Sequence, residues 1–257
     1  MSNKISLFRQ LHQQAEPLLI GNVWNAQSAK VFEKAGSKAI ATSSAAVAET
    51  LGYTDGENMR FEEYLFIIER IIKATSLPLS VDLETGYGDT PAAIAENIKH
   101  LSELGVVGVN IEDSVITNGN RRIVDLASFA AKISEVVQLV KTSGIDIFIN
   151  LRSDVFLLGL PSAKEAAIDR TKLYNNTGVD GLFFPCITDI DDIRTITGIS
   201  KLPVNVMCMP NLPNFEELKN AGVKRISMGN FVNGTLYRKL EELIRGIEGE
   251  QSFAGVV

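Results

Sequence analysis

One phrase recurs along this chain and constrains its fold more than any other feature. A helical stretch closes on glycine and a short apolar run follows at once, in KAGSKAI, ELGVVGV, NTGVDGL and NAGVKRI. Glycine takes the left-handed conformation that stops a helix, and an unbroken apolar run suits a strand buried on both faces. Repetition of this unit commits the chain to a parallel sheet covered by helices. Eight strands are expected: Leu18–Asn22, Ala39–Thr42, Leu79–Asp82, Gly108–Ile111, Ile145–Asn150, Gly181–Phe184, Pro203–Val206 and Arg225–Ser227. Helices are expected over Glu63–Ala74, Pro91–Leu104, Ser128–Lys141 and Lys164–Thr177, the last three ended by Gly105, Gly144 and Gly178. Eight such units predict an α/β fold, a closed (β/α)8 TIM barrel, spanning residues 1–257 as one domain. The alternative, an open doubly wound sheet, lacks a GxGxxG after its first strand.

Composition narrows the partners. With 25 Lys and Arg against 31 Asp and Glu, the net charge is −6, which argues against nucleic acid or an anionic membrane. An acidic protein that binds an anion needs a local arginine or a metal. No window approaches the roughly 20 apolar residues of a membrane span, and the N-terminus lacks a signal-type apolar core. Two cysteines, Cys186 and Cys208, form no framework, so a cytoplasmic setting is expected.

In such a barrel, chemistry sits just after the strands. Those positions hold Asn22 and Trp24, Thr42-Ser43-Ser44-Ala45, Asp82 and Glu84, Glu112 and Asp113, Arg152 and Asp154, then Asn205 and Ser227. Asp82 and Glu84, two residues apart at a strand end, point the same way along the pleat and suit Mg²⁺, with Glu112 as a third carboxylate. The plainer reading has them cap a turn or pair with Arg152. Arg152 offers a planar fork to a substrate carboxylate, or else pairs with Asp154 or Glu112. Ser43 and Ser44 hold an anion at a helix start or act as helix caps. Asp113 is equally a ligand or a cap, and Trp24 lines the pocket or fills the rim. His12 and His100 fall inside helices, which removes histidine acid–base chemistry. Cys186 follows a strand with no histidine to activate it.

Taken together, GNVWNAQSAKVFEKAG, TSSAAVAETLGYTDGE, VDLETGYGD, VNIEDS, NLRSD and PVNVM, in this order over Phe8–Gly229, resemble the isocitrate lyase/phosphoenolpyruvate mutase superfamily. The resemblance implies a barrel whose last helix is often exchanged between subunits, in homodimers or homotetramers, with Mg²⁺ near Asp82 and an enolate of a 2-oxo acid. It implies that Ser43, Ser44, Ala45, Arg152 and Asn205 bind substrate, that Asp82, Glu84 and Glu112 serve the metal, and that Asp55 joins Arg152 and Glu112 at the reacting centre.

Two departures limit the reaction. The loop after the fourth strand reads SVITNGNRRIVD, without the Cys and His of the isocitrate and methylisocitrate lyases. Pro185-Cys186-Ile187 stands where the mutase and phosphonopyruvate hydrolase branches place a histidine. Asn118 or Asn120 takes the place of a gating asparagine in a short polar loop. The expected activity is therefore a Mg²⁺-dependent lyase or decarboxylase of an oxaloacetate-like 2-oxo or 2-hydroxy diacid. The alternatives are a phosphonopyruvate-type mutase or hydrolase, and a barrel that binds a 2-oxo acid without turning it over.

Overall fold

The computed structural model describes residues 2–117 and 119–257. Helix α1 (Ser2–Leu11) precedes β1 (Leu18–Val23), α2 (Ala26–Lys34), β2 (Ile40–Thr42), α3 (Ser44–Thr50), α4 (Phe61–Ala74), β3 (Leu79–Asp82), α5 (Pro91–Leu104) and β4 (Gly108–Glu112). A hairpin of β5 (Ser114–Thr117) and β6 (Asn120–Ile123) comes next. The chain then continues through α6 (Leu126–Thr142), β7 (Phe148–Arg152), α7 (Ala163–Tyr174), β8 (Gly181–Phe183) and α8 (Ile190–Ile199). It ends with β9 (Val204–Met207), α9 (Phe215–Asn220), β10 (Arg225–Ser227) and α10 (Phe231–Glu250). All eight expected barrel strands are present, each parallel to its neighbours, and β1 closes on β10 with Leu18 opposite Arg225. The fold is a (β/α)8 barrel.

Its apolar residues fall into two regions. Around the barrel, Ile68, Ile71, Ile94, Ile98 and Ile133 from the helices share a core with Val81, Val109, Ile111 and Leu151 of the strands. Beneath it, Ile5, Phe8 and Leu11 of α1 plug the N-terminal end against Leu18, Ile20, Ala41 and Phe148. His12 belongs to this plug. Its ring stacks on Phe148 at 4.4 Å and its Nδ1 lies 2.8 Å from the Phe8 carbonyl. Burial, aided by Arg225, lowers it to about 3, so it is a neutral packing residue. His100 sits on the outer face of α5 near Glu96. This apolar packing occupies the N-terminal end of the barrel and leaves the polar strand ends on the C-terminal side.

Gly105 ends α5 at φ 100°, a left-handed stop of the expected kind. The segment after β4 departs from expectation. Instead of a loop, Ser114–Thr117 and Asn120–Ile123 form an antiparallel pair, with Ile116 opposite Arg121. Asn118 lies outside the described residues, and Asn120 is exposed at the start of β6.

Candidate active site

A cavity of about 400 Å³ opens at the C-terminal ends of the strands, where Asp82 closes β3. The backbone of Asp82 is fixed first: its N–H donates to Thr42 Oγ1 (2.9 Å), and its carbonyl accepts from Tyr64 OH (3.0 Å). Its carboxylate then accepts from Ser44 Oγ at 2.9 Å and, more loosely, from Asn110 Nδ2 at 3.4 Å. Ser44 Oγ also lies 3.4 Å from Asp55, so the loop after α3 brings a second acid to this corner. Ser43 caps α3 by accepting from the Ala46 N–H (3.3 Å), yet it lines the cavity with Ser44 and Ala45. Its two readings therefore coexist.

Beside this corner lies a network of two arginines and two buried acids. Arg152 ends β7; its Nη1 is 2.9 Å from Glu112 Oε2, and its Nε donates to Asp154 Oδ1 at 2.6 Å. The structural pairing anticipated for Arg152 is thus made, while the guanidinium still borders the cavity. Arg121, from β6, reaches the same acids: its Nη1 pairs with Glu112 Oε1 and donates to Asp154 Oδ2 (3.1 Å) and Ser114 Oγ (2.8 Å). Burial pushes the Glu112 carboxyl upward, and Arg152 and Arg121 pull it back.

Glu84 is displaced from its expected place. β3 ends at Asp82 and Glu84 takes a left-handed φ of 51°, so the pleat no longer aligns the two carboxylates. Glu84 and Glu112 line an adjoining cavity of about 220 Å³ together with Glu57 and Asp89. Glu84 is 3% exposed and accepts a hydrogen bond from Tyr87 OH (3.2 Å). Burial first, then the charges of Asp55, Glu112, Asp82 and Glu57, push it up to about 9. Asp55 is raised too, by burial and then by Asp82. Among the described residues no three His, Cys, Asp or Glu form a ready metal cage. The donor set nevertheless fits Mg²⁺, which takes one or two carboxylates and keeps several waters. Crowded carboxylates raised by one another are the electrostatic signature of a place that favours added positive charge.

Other expected residues lie elsewhere. Trp24 does not line the cavity: it is 5% exposed and packed in the core, with its backbone N–H donated to Ser28 Oγ (3.1 Å). Asn205 is also absent from the lining. It sits inside the barrel, accepting from Asn150 Nδ2 (3.3 Å) and donating to Ser227 Oγ (3.2 Å). Asp113 is neither ligand nor cap, because Asp125 caps α6. Asp113 instead accepts from Arg170 Nε (2.9 Å), Tyr174 OH (2.9 Å) and the Asp154 N–H (3.0 Å), anchoring the start of the loop after β7. Burial raises the Cys186 thiol, which keeps it a poor nucleophile.

Three parts of the lining escape the sequence reading. Arg121 comes from β6, which pairs with β5 where the sequence reading expected a loop. Asn110 was signalled by its position two residues before Glu112 on one strand. Nothing in sequence marked Leu157 and Leu158, which a loop after β7 folds onto the cavity beside Phe183 and Met207.

The sequence model of the phosphoenolpyruvate phosphomutase family matches residues 8–248. A 2-methylisocitrate lyase from Shewanella oneidensis is 31% identical over 229 residues, covering 85% of this chain and 76% of that one. The structure of a provisionally assigned phosphonomutase from Burkholderia cenocepacia J2315 is 39% identical, with a TM-score of 0.86, covering 95% of this chain and 99% of the other. A phosphonopyruvate hydrolase in complex with oxalate and Mg²⁺ shares the fold, with a TM-score of 0.85 at 18% identity over 98% of this chain and 89% of its own.

Proposed function

Because the chain belongs to the phosphoenolpyruvate phosphomutase family, within the isocitrate lyase/phosphoenolpyruvate mutase superfamily, we propose that it is a Mg²⁺-dependent lyase of a small 2-oxo or 2-hydroxy diacid. The bond broken is carbon–carbon, by cleavage or decarboxylation of an oxaloacetate-like substrate. The superfamily holds lyases, decarboxylases, mutases and hydrolases, so the choice among them rests on the site. The observation that carries the reading is the Asp82 carboxylate, held by Ser44 and Asn110 on a cavity that Arg152 also borders.

Asp82 would hold Mg²⁺, and Asp55, Glu84 and Glu112 would add negative charge around it. The bound cation would neutralise this acidic corner and stabilise charge developing on a substrate oxygen. Arg152, whose guanidinium borders the cavity, would attract the substrate carboxylate by its charge, and Ser43, Ser44 and Ala45 would border the same anion. Bond cleavage leaves its electron pair on an enolate, where preorganised positive groups lower the barrier most. Asp55, its carboxyl raised by burial, would hold a proton for the reacting carbon. Assembly as a homodimer or homotetramer is part of this proposal, because Leu236, Tyr237, Leu240 and Ile244 of α10 are each about half exposed.

Phosphorus–carbon chemistry is the second reading, favoured by the 39% identity to the Burkholderia protein and opposed by a cavity without histidine. Purified protein with Mg²⁺ is to be offered oxaloacetate, phosphonopyruvate and 2-methylisocitrate, with pyruvate and phosphoenolpyruvate measured. Pyruvate from a carbon diacid, lost in Asp82→Ala, is the expected result. Preference for phosphonopyruvate selects the second reading. No turnover above the Asp82→Ala background refutes both, and binding without turnover would identify a binding barrel.

A further inference from the structure

Two segments in contact form the wall between the cavity and its smaller neighbour. The loop after α3 carries Asp55, Gly56 and Glu57, and the β5–β6 hairpin carries Ile116 and Arg121. Gly56, at φ 104°, packs against the end of the Ile116 side chain, and its left-handed backbone strains any other residue there. Glu57 accepts from the backbone N–H groups of Thr85 and Tyr87, both at 2.9 Å, tying this wall to the loop after β3. Arg121 is therefore delivered to the cavity by a braced element.

Its charge is matched by Glu112, Asp154 and Asp55, but its donors are only partly used. Arg121 and Arg152 share Glu112 and Asp154, two cations against two buried anions. In Arg152, the Nη1, Nε and Nη2 nitrogens all face these acids, Nη2 at 3.2 Å from Asp154. In Arg121, the short contacts fall on Nη1, whereas Nη2 makes a long ion contact of 3.5 Å with Asp55 Oδ2. A guanidinium with a loosely held edge on a cavity has donors available to a ligand. The rest of the lining limits where a second substrate charge can go. Asp55 and Asp82 repel an anion, Leu157, Leu158, Phe183 and Met207 cannot solvate one, and Asn22, Ser227 and Asn230 are polar but carry no charge.

We propose that Arg121 recognises the distal anion of the substrate, the charged group farthest from its 2-oxo acid head. This rests on the reading of the cavity as a 2-oxo acid site. It specifies a substrate with two anionic ends, whether the distal one is a carboxylate or a phosphonate.

The test is calorimetric titration of the full-length protein, in Mg²⁺, with pyruvate, 3,3-difluorooxaloacetate and phosphonopyruvate. These carry no distal anion, a carboxylate and a phosphonate, respectively. Arg121→Met is expected to weaken one of the two dianions by roughly 30- to 100-fold, the size of a lost charge-assisted contact. Pyruvate should change by less than about threefold. The dianion that loses more identifies the distal group. Arg121→Lys, which keeps a charge for Glu112 and Asp154 but loses the fork, should weaken the same dianion selectively by about tenfold. It carries the comparison if Arg121→Met does not fold. Equal weakening of pyruvate and the dianions, or no change in either variant, overturns the proposal. Failure of the wild-type protein to bind any of the three removes the 2-oxo acid reading itself, a result distinct from loss of selectivity.

Discussion

Replacing Asp113 by Asn separates a structural carboxylate from a functional one, and its effect can be worked out from the contacts. One oxygen of Asp113 accepts the Asp154 N–H, and the other accepts from both Arg170 Nε and Tyr174 OH. Asp113 is 0% and Arg170 is 7% exposed, so neither reaches water for compensation. Asn presents an amide N–H₂ or loses an acceptor, and the guanidinium of Arg170 cannot shed its charge. Leaving a buried cation without its counter-ion costs about 3–5 kcal/mol. Arg170→Met is milder, about 1–3 kcal/mol, because Asp113 keeps two of its hydrogen bonds. The double variant should lose less than the sum of the singles by about 1.5–3 kcal/mol. Urea unfolding followed by circular dichroism measures all three. Single losses below about 1 kcal/mol, or additivity within about 0.5 kcal/mol, would refute the network as the reason for Asp113.

Three further outcomes are expected. Glu84 titrates near 9 when folded against an ordinary 4.5, so the folded state holds the extra proton between those values. Metal-free stability should then fall as pH rises from about 5 to about 9, by at most about 1.4 kcal/mol per pH unit. Glu84→Gln should flatten the slope, and Mg²⁺ should raise Tm more at alkaline than at acidic pH; a flat wild-type profile contradicts this. Arg225 is 1% exposed and its three side-chain nitrogens lack hydrogen-bond partners among the described residues. Arg225→Met should leave stability unchanged or raise it by about 1–3 kcal/mol in denaturant titrations, and a clear loss would reveal a partner. Charging the exposed face of α10 with Leu236→Glu and Leu240→Glu should lower the mass seen by light scattering, whereas an unchanged assembly excludes that face as the subunit contact.

Much of the architecture was written locally. Glycine stops followed by apolar runs specify a βα unit wherever they occur, because each is a backbone preference acting within a few residues. The same logic placed Ser43, Ser44, Ala45, Asp82 and Arg152 on one mouth, since residues ending parallel strands must share an end of the barrel. What the sequence left undecided depends on where a side chain turns after its strand stops. Glu84 follows Asp82 by two residues, yet a left-handed backbone sends it to the neighbouring cavity. Trp24 and Asn205 sit at strand ends by numbering, but packing takes one into the core and hydrogen bonds hold the other inside the barrel. Asp113 and Arg170 are 57 residues apart, and only the closed barrel makes them partners. Arg121 required both levels. Its strand pairs with β5 only a few residues away, while its place over Glu112, Asp154 and Asp55 comes from strands and loops distant in sequence. Long-range electrostatics of this kind has no local periodicity to betray it, and so the charge network of the site was decided by the tertiary structure alone.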